Sequence, residues 1–282
     1  MKKTFLTLLS TENYLKGVLV LHQSLMDTNT NYPFVVLLSE RISENIEKIL
    51  HSYNIQTLRM DSPLGVDIPD DLNKGYATHW NYTFEKLTIF RLTQFEKIIF
   101  LDSDMLILEN IDELFRKKHL SAVCAGAKFP GNEDWLGYLN SGLLVVEPNI
   151  NDFENLINLV PVVTRKLKNC GDQDVIKEYV AGKWTENLWL DDKYNMFQIY
   201  LDWYIENLDY TFLKNRSDKN IKIVHFIGTQ KPWMAKTDLI SYLKFSVKLH
   251  LFKVLKKKEN KKYYRQAMSI YKKYLLRYNS LK

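Results

Sequence analysis

KIIFLDSD, residues Lys97 to Asp104, is a short apolar run that ends in two carboxylates separated by one small residue, Ser103. Ile98 to Leu101 read as a buried strand, so Asp102 and Asp104 stand at its carboxyl end. In open α/β sheets that end is where ligands bind. Two hard oxygen donors suit a divalent ion that also binds phosphates, which makes the pair a candidate metal-bound nucleotide site. Taken alone, the same triplet also fits a solvated turn.

Outward from this strand the chain alternates between two periods. Thr4–Leu9 reads as a first strand, and Leu15, Val18, Leu19, His22, Leu25 and Met26 then recur at helical spacing. Phe34–Leu38 follows as a second strand. Ser43 is a candidate helix cap before Ile46, Ile49 and Leu50, Ile55–Met60 alternates like a third strand, and a helix over Thr83–Leu92 leads into KIIFL. Such alternation predicts an α/β fold with a largely parallel sheet and helices on both faces. Residues 61–78, with Pro63, Gly65, Pro69 and Gly75, form a long irregular connection of the kind that serves as a functional lid or a disordered excursion. At 282 residues, 46% hydrophobic and 26% charged, one main domain with a large core is expected. MKKTFLTLLS imitates a secretory leader, but its apolar stretch is broken at Thr7 and falls short of the roughly 7 to 15 residues required. No segment reaches the roughly 18 apolar residues of a membrane span. Cys124 and Cys170 lack metal-ligand spacing, and a reducing, cytoplasmic compartment is the simpler expectation.

Seven segments stand in order along the chain: FLTLLSTENYLKG (5–17), FEKL (84–87), FLDSD (100–104), NIDELF (110–115), LNSGLLVVEP (139–148), GDQD (171–174) and HFIGTQKPW (225–233). Together they resemble glycogenin and the wider family 8 glycosyltransferases over roughly residues 4–235. The resemblance implies a GT-A fold, a Rossmann-like nucleotide-binding mixed sheet with flanking helices. It also implies transfer of a hexose from a UDP-sugar, with retention of configuration and generally with Mn²⁺.

The chemistry and the resemblance distribute roles over named residues. Breaking a glycosyl phosphate bond needs charge stabilised on the leaving diphosphate, which a metal ion does as a Lewis acid. Asp102 and Asp104 supply carboxylates for that metal; His225, ending the apolar run Ile221–Val224, fits either a third ligand or a structural hydrogen-bonding residue on its own, and the resemblance implies the ligand. Gly228 allows close backbone approach to phosphate, and Lys231 offers it a cation. Asn140 and Ser141, before the strand Leu143–Val146, suit sugar hydroxyls, and Lys86 is matched to a lysine near donor sugar and phosphates. The resemblance sets Asp172 and Gln173 beneath the reacting anomeric carbon; as acids and amides at a helix start they also suit the macrodipole. It assigns Leu8, Ser10, Thr11 and Tyr14 to uracil and ribose, with Tyr14 stacking on the base. Leu9 departs from the family, which often has a second threonine there. WLDDKYNMF (189–197) matches a Tyr-Asn signature, with Tyr194 structural or acceptor-side.

Residues 244–282 differ in character. They hold thirteen Lys or Arg against one acid, Glu259, a charge of +12 against −6 for the rest of the chain. Phe245, Leu249, Phe252, Leu255, Tyr263, Tyr264, Tyr271, Tyr274 and Tyr278 punctuate the lysines at roughly helical spacing. This predicts a catalytic domain over 1–243 and a separable basic helical tail over 244–282, attached to an anionic membrane surface at the inner face of the cell membrane. Nucleic acid is the rival partner for such a tail and is not expected here. Two functions compete with the transferase. A sugar-nucleotide pyrophosphorylase would need a Gly-rich phosphate loop, which STENYLKG lacks; a noncatalytic nucleic-acid-binding protein would leave the Asp, His and Lys residues idle.

Overall fold

The computed structural model describes residues 2–61, 64–214, 217–234 and 261–278, and of 75–79 the backbone alone. In chain order come β1 (Lys2–Leu9), α1 (Leu15–Met26), β2 (Phe34–Leu38), α2 (Glu44–Ser52), β3 (Gln56–Arg59), β4 (Phe95–Leu101), β5 (Met105–Ile107), β6 (Ala122–Val123) and β7 (Leu143–Val146). Then follow α3 (Ile150–Lys166), α4 (Asp172–Tyr179), β8 (Trp189–Leu190), β9 (Met196–Phe197), α5 (Leu201–Asn207), β10 (Ile223–His225) and α6 (Lys262–Leu276). The main sheet has the order β3-β2-β1-β4-β7; β7 runs antiparallel to β4 and the other pairs are parallel. A second sheet, β5-β10-β9, is mixed.

Strand periodicity divides the core in two. Phe5, Leu9, Val36, Leu38, Ile99 and Leu101 face α1 and α2, whereas Leu6, Leu37, Ile98 and Phe100 face α3, α4 and the segment Phe84–Phe90. Each such side chain stabilises the fold by about 1.5–3 kcal/mol on burial. Leu9, the departure from the family threonine, is fully buried in the first of these layers. Because β7 is antiparallel, with Leu101 opposite Leu143, residues 140–142 enter at the edge where Asp102 leaves β4.

The helix expected over Thr83–Leu92 is instead a run of 3-10 turns, Gly75–Arg91. Phe84, Leu87 and Phe90 are all buried at a spacing of three, and residues three apart eclipse in a 3-10 helix. Ser43 does occupy the N-cap of α2, but its side chain makes no capping hydrogen bond. In the long connection, Asn73 lies in the left-handed region and is fully buried. Its amide donates to Cys170 O at 2.7 Å and accepts from Cys170 N at 2.8 Å, stapling the connection to the turn before α4.

The last described helix does not stand apart from the core. Asp202 accepts from the N–H groups of Tyr263 and Tyr264 at 2.8 and 2.9 Å, which satisfies and charge-complements the start of α6. Ala267, Tyr271 and Tyr278 are buried, and the Tyr278 hydroxyl donates to Leu19 O at 3.2 Å. Lys262, Arg265, Lys272, Lys273 and Arg277 are exposed. The aromatic stripe among the lysines thus faces the core and leaves a solvated outer face. Residues 235–260, with most of the basic run, lie outside the described residues. Among those described, no helix is long and apolar enough to cross a membrane, and Cys124 and Cys170 are free and buried.

Candidate active site

The strand edges bring three ligand groups together. Asp102 and Asp104 follow β4, His225 ends β10, and one ligand atom of each lies within 4.8 Å of the others. His225 Nε2 is 3.0 Å from Asp104 Oδ1 and 3.8 Å from Asp102 Oδ2. Lys231 ion-pairs with the second oxygen of Asp104 and donates to Phe226 O at 3.0 Å. Burial raises the Asp104 pKa, but the charges of His225 and Lys231 outweigh it and hold the carboxyl well below the usual range. The Asp102 pKa is raised, by desolvation first and by Asp104 beside it, against the pull of Lys86. Gly142 is obligatory here: a Cβ would sit 2.6 Å from His225 Cε1 and 3.0 Å from Asp102 Oδ2.

Lys86 joins this cluster to a second one. Its buried Nζ lies 3.0 Å from Asp102 Oδ1 and 2.9 Å from Asp172 Oδ2, and 3.3 Å from both Ser141 O and Oγ. Burial opposes its charge, yet Asp102 and Asp172 hold its pKa above the ordinary lysine value. Asp172 and Gln173 open α4, where carboxylates also suit the helix dipole.

A chain of amides links the clusters, and two backbone N–H groups fix every atom in it. Gly142 N–H donates at 3.1 Å to Asn140, so the acceptor must be Oδ1. Ser141 N–H donates at 3.2 Å to Gln173 Oε1, which also accepts from Asn140 Nδ2 at 2.9 Å. Asn140 Oδ1 accepts from Asn195 Nδ2 at 2.7 Å, which leaves Asn195 Oδ1 to face His225 Nδ1 at 2.8 Å. His225 Nδ1 therefore donates to Asn195, which leaves Nε2 as the ring nitrogen that faces the carboxylates and that a bound metal would take. Two carboxylates with a pre-oriented imidazole fit a divalent transition metal.

Asn195 was missed by sequence reasoning. It sits in the Tyr-Asn signature, but its role exists only through partners 30 and 55 positions away. Its neighbour Tyr194 is buried and donates to Glu113 at 3.0 Å, a structural position. The nucleotide set is grouped more loosely. Ser103 lies between the acids, with its carbonyl 2.6 Å from where a Gly17 Cβ would be. Leu8 packs partly into the core, Ser10 reaches Tyr82 O at 3.5 Å, and Thr11 precedes the 3-10 turn Glu12–Tyr14. Tyr14 meets Trp233 in a T-shaped contact at 5.3 Å. Gly228 adopts φ +95°, with open space where a Cβ would be.

A Rossmann-like mixed sheet with acids at the end of its fourth strand and a histidine brought beside them is the GT-A type of glycosyltransferase fold. Solved structures share it: an active-site mutant of LgtC (TM-score 0.60, 16% identity, 88% of this chain and 95% of that one) and apo GlyE of Streptococcus pneumoniae (TM-score 0.59, 17% identity, 87% and 60%). Residues 5–237 match Glycosyl transferase family 8, and the chain belongs to that family. It is 32% identical to Glycogenin-1 of Mus musculus over 238 residues, 82% of this chain and 65% of the mouse protein, and so spans slightly less than two thirds of that relative. An uncharacterized protein of Acanthamoeba polyphaga mimivirus is 32% identical over 233 residues, 78% of each chain.

Proposed function

We propose that the protein is a metal-dependent, retaining transferase that moves a hexose, glucose or galactose, from a UDP-sugar to a glycan or glycolipid acceptor. The observation that carries this is the convergence of Asp102, Asp104 and His225 within 4.8 Å, tied by one buried lysine to Asp172. Mn²⁺ held by those three would supply positive charge to the leaving diphosphate. Lys231, already beside Asp104, adds a cation, and Gly228 admits backbone close to phosphate. Asn140, Ser141 and Lys86 orient the sugar.

Transfer proceeds on one face of the ring. The bond from the anomeric carbon to phosphate breaks with its electron pair leaving on the diphosphate. The acceptor oxygen bonds the same face, and its proton passes to the departing phosphate oxygen. Asp172 and Gln173 steady the positive charge that develops on the ring. A double displacement through Asp172 suits the site less well, because Lys86 at 2.9 Å draws charge from that carboxylate. A panel of UDP-sugars with Mn²⁺, followed by UDP release with and without acceptors, tests the assignment; pyrophosphate-dependent nucleotide exchange, or nucleic-acid binding without UDP binding, would overturn it.

The proposed division keeps 1–243 as the catalytic unit and 244–282 as the attachment to an anionic membrane surface, with the inner face of α6 belonging to the catalytic core. The outward Lys262, Arg265, Lys272 and Lys273 support such a surface, each basic residue near it contributing roughly 1 kcal/mol.

A further inference from the structure

Beside the transfer end lies an aromatic surface without a task so far. The segment joining β6 to β7 leaves Trp135 42%, Leu136 57% and Tyr138 46% exposed, all within five residues of Asn140. Single exposed apolar side chains are ordinary, but three on one short segment that leads into Asn140 point to a binding surface.

Each ring has neighbours that lead toward the site. A Cβ on Gly126 would meet Tyr200 at 3.0 Å, Trp135 at 3.1 Å and Phe197 at 3.3 Å, and Gly126 itself has φ +80°. Phe197 in turn meets the His225 ring edge-on at 5.6 Å. One edge of Trp135 is thus fixed in an aromatic wall that leads to the metal-end histidine. On the other side, Lys177 Nζ sits 3.5 Å above the Tyr138 ring. Lys177 is four residues beyond Gln173 on α4, hence on the same helix face. The two rings are thereby tied to the helix that carries Gln173 and to the aromatic group beside His225.

We propose that Trp135 and Tyr138 form the acceptor subsite and that its ligand is a neutral hexopyranose ring; this rests on the transferase assignment. The C–H face of a pyranose packs on an aromatic ring while its hydroxyls stay in water, and rigid Trp and Tyr side chains lose little entropy in holding it. Exposed Glu133 and Asp134 on the same segment offset the charge of Lys177, so the surface has no net preference for an anionic acceptor. The rings are flat and polar-rimmed, which suits a sugar face better than an acyl chain.

The test uses the intact chain with Mn²⁺, UDP-glucose and UDP-galactose as donors, and methyl glucosides, methyl galactosides, maltose and lactose as acceptors. In Trp135→Ala and Tyr138→Ala, acceptor KM rises about tenfold each, while UDP affinity and acceptor-independent donor hydrolysis stay at the level of the unsubstituted protein. Trp135→Phe recovers most of the loss. Unchanged acceptor KM in both alanine variants overturns the subsite, as does a protein that binds UDP and hydrolyses donor yet saturates with none of these sugars. Failure to bind UDP at all would instead strike the transferase assignment beneath it.

Discussion

The two ends of the site satisfy their polar groups by opposite means. At the metal end Asp104 is flanked by His225 and Lys231, and its charge is held by theirs. At the transfer end Gln173 is neutral and held by an amide and a backbone N–H, while Asp172 has a single lysine. On the proposed function the contrast follows what each end would have to do. A group that binds a diphosphate faces fixed charge and needs fixed countercharge, so losing one member there leaves buried charge uncompensated. Charge on the sugar ring exists only during transfer, and neutral dipoles fixed in advance stabilise it without reorganising.

If that contrast holds, the largest loss comes at the metal end. Asp104→Asn and His225→Ala should each lower Mn²⁺-dependent turnover by roughly a thousandfold and weaken donor binding in calorimetry; normal turnover in EDTA would break the comparison outright. Asp172→Asn should cost turnover about a hundredfold or more, with UDP affinity within several-fold, the signature of the transition-state role proposed for it. Parallel losses in rate and UDP affinity would move Asp172 to the nucleotide side. Tyr271→Ala probes support from behind: its ring packs on Phe226 at 5.0 Å and Trp233 at 6.1 Å. Urea unfolding should show a loss of about 3 kcal/mol, and donor affinity should fall further than acceptor affinity. Finally, Asn195→Ala should weaken Mn²⁺ binding by about ten- to a hundredfold. Asn195→Asp keeps an acceptor for His225 but loses the donor to Asn140, so recovered metal affinity without recovered turnover would separate the two ends.

What could be read in advance was whatever is local. Apolar runs of fixed period gave β1, β2, β4 and β7 to within three residues, the Asp-x-Asp triplet stood out by residue type at a strand end, and His225 joined it only through the HFIGTQKPW resemblance. Period three in Phe84, Leu87 and Phe90 was present in the sequence but looked like a loose helical pattern. β8 and β9 span two residues each, too few to show any period. Asn195 and Lys86 are legible only in part, because an amide or a lysine acquires its role from partners far along the chain. What Tyr271 and Tyr278 pack against was not legible for a related reason: aromatic residues among lysines look alike whether they face lipid or a protein core.

The bond from Tyr278 to Leu19 spans 259 positions. During synthesis the first strand and helix emerge early, yet the apolar flank of α1 stays uncovered until α6 has been made. Long-range closure of this kind slows folding, and until it happens an open hydrophobic flank is available to chaperones or to other nascent chains. The interval between making the first helix and making the last therefore sets how long this protein is vulnerable, whatever the speed of its central sheet.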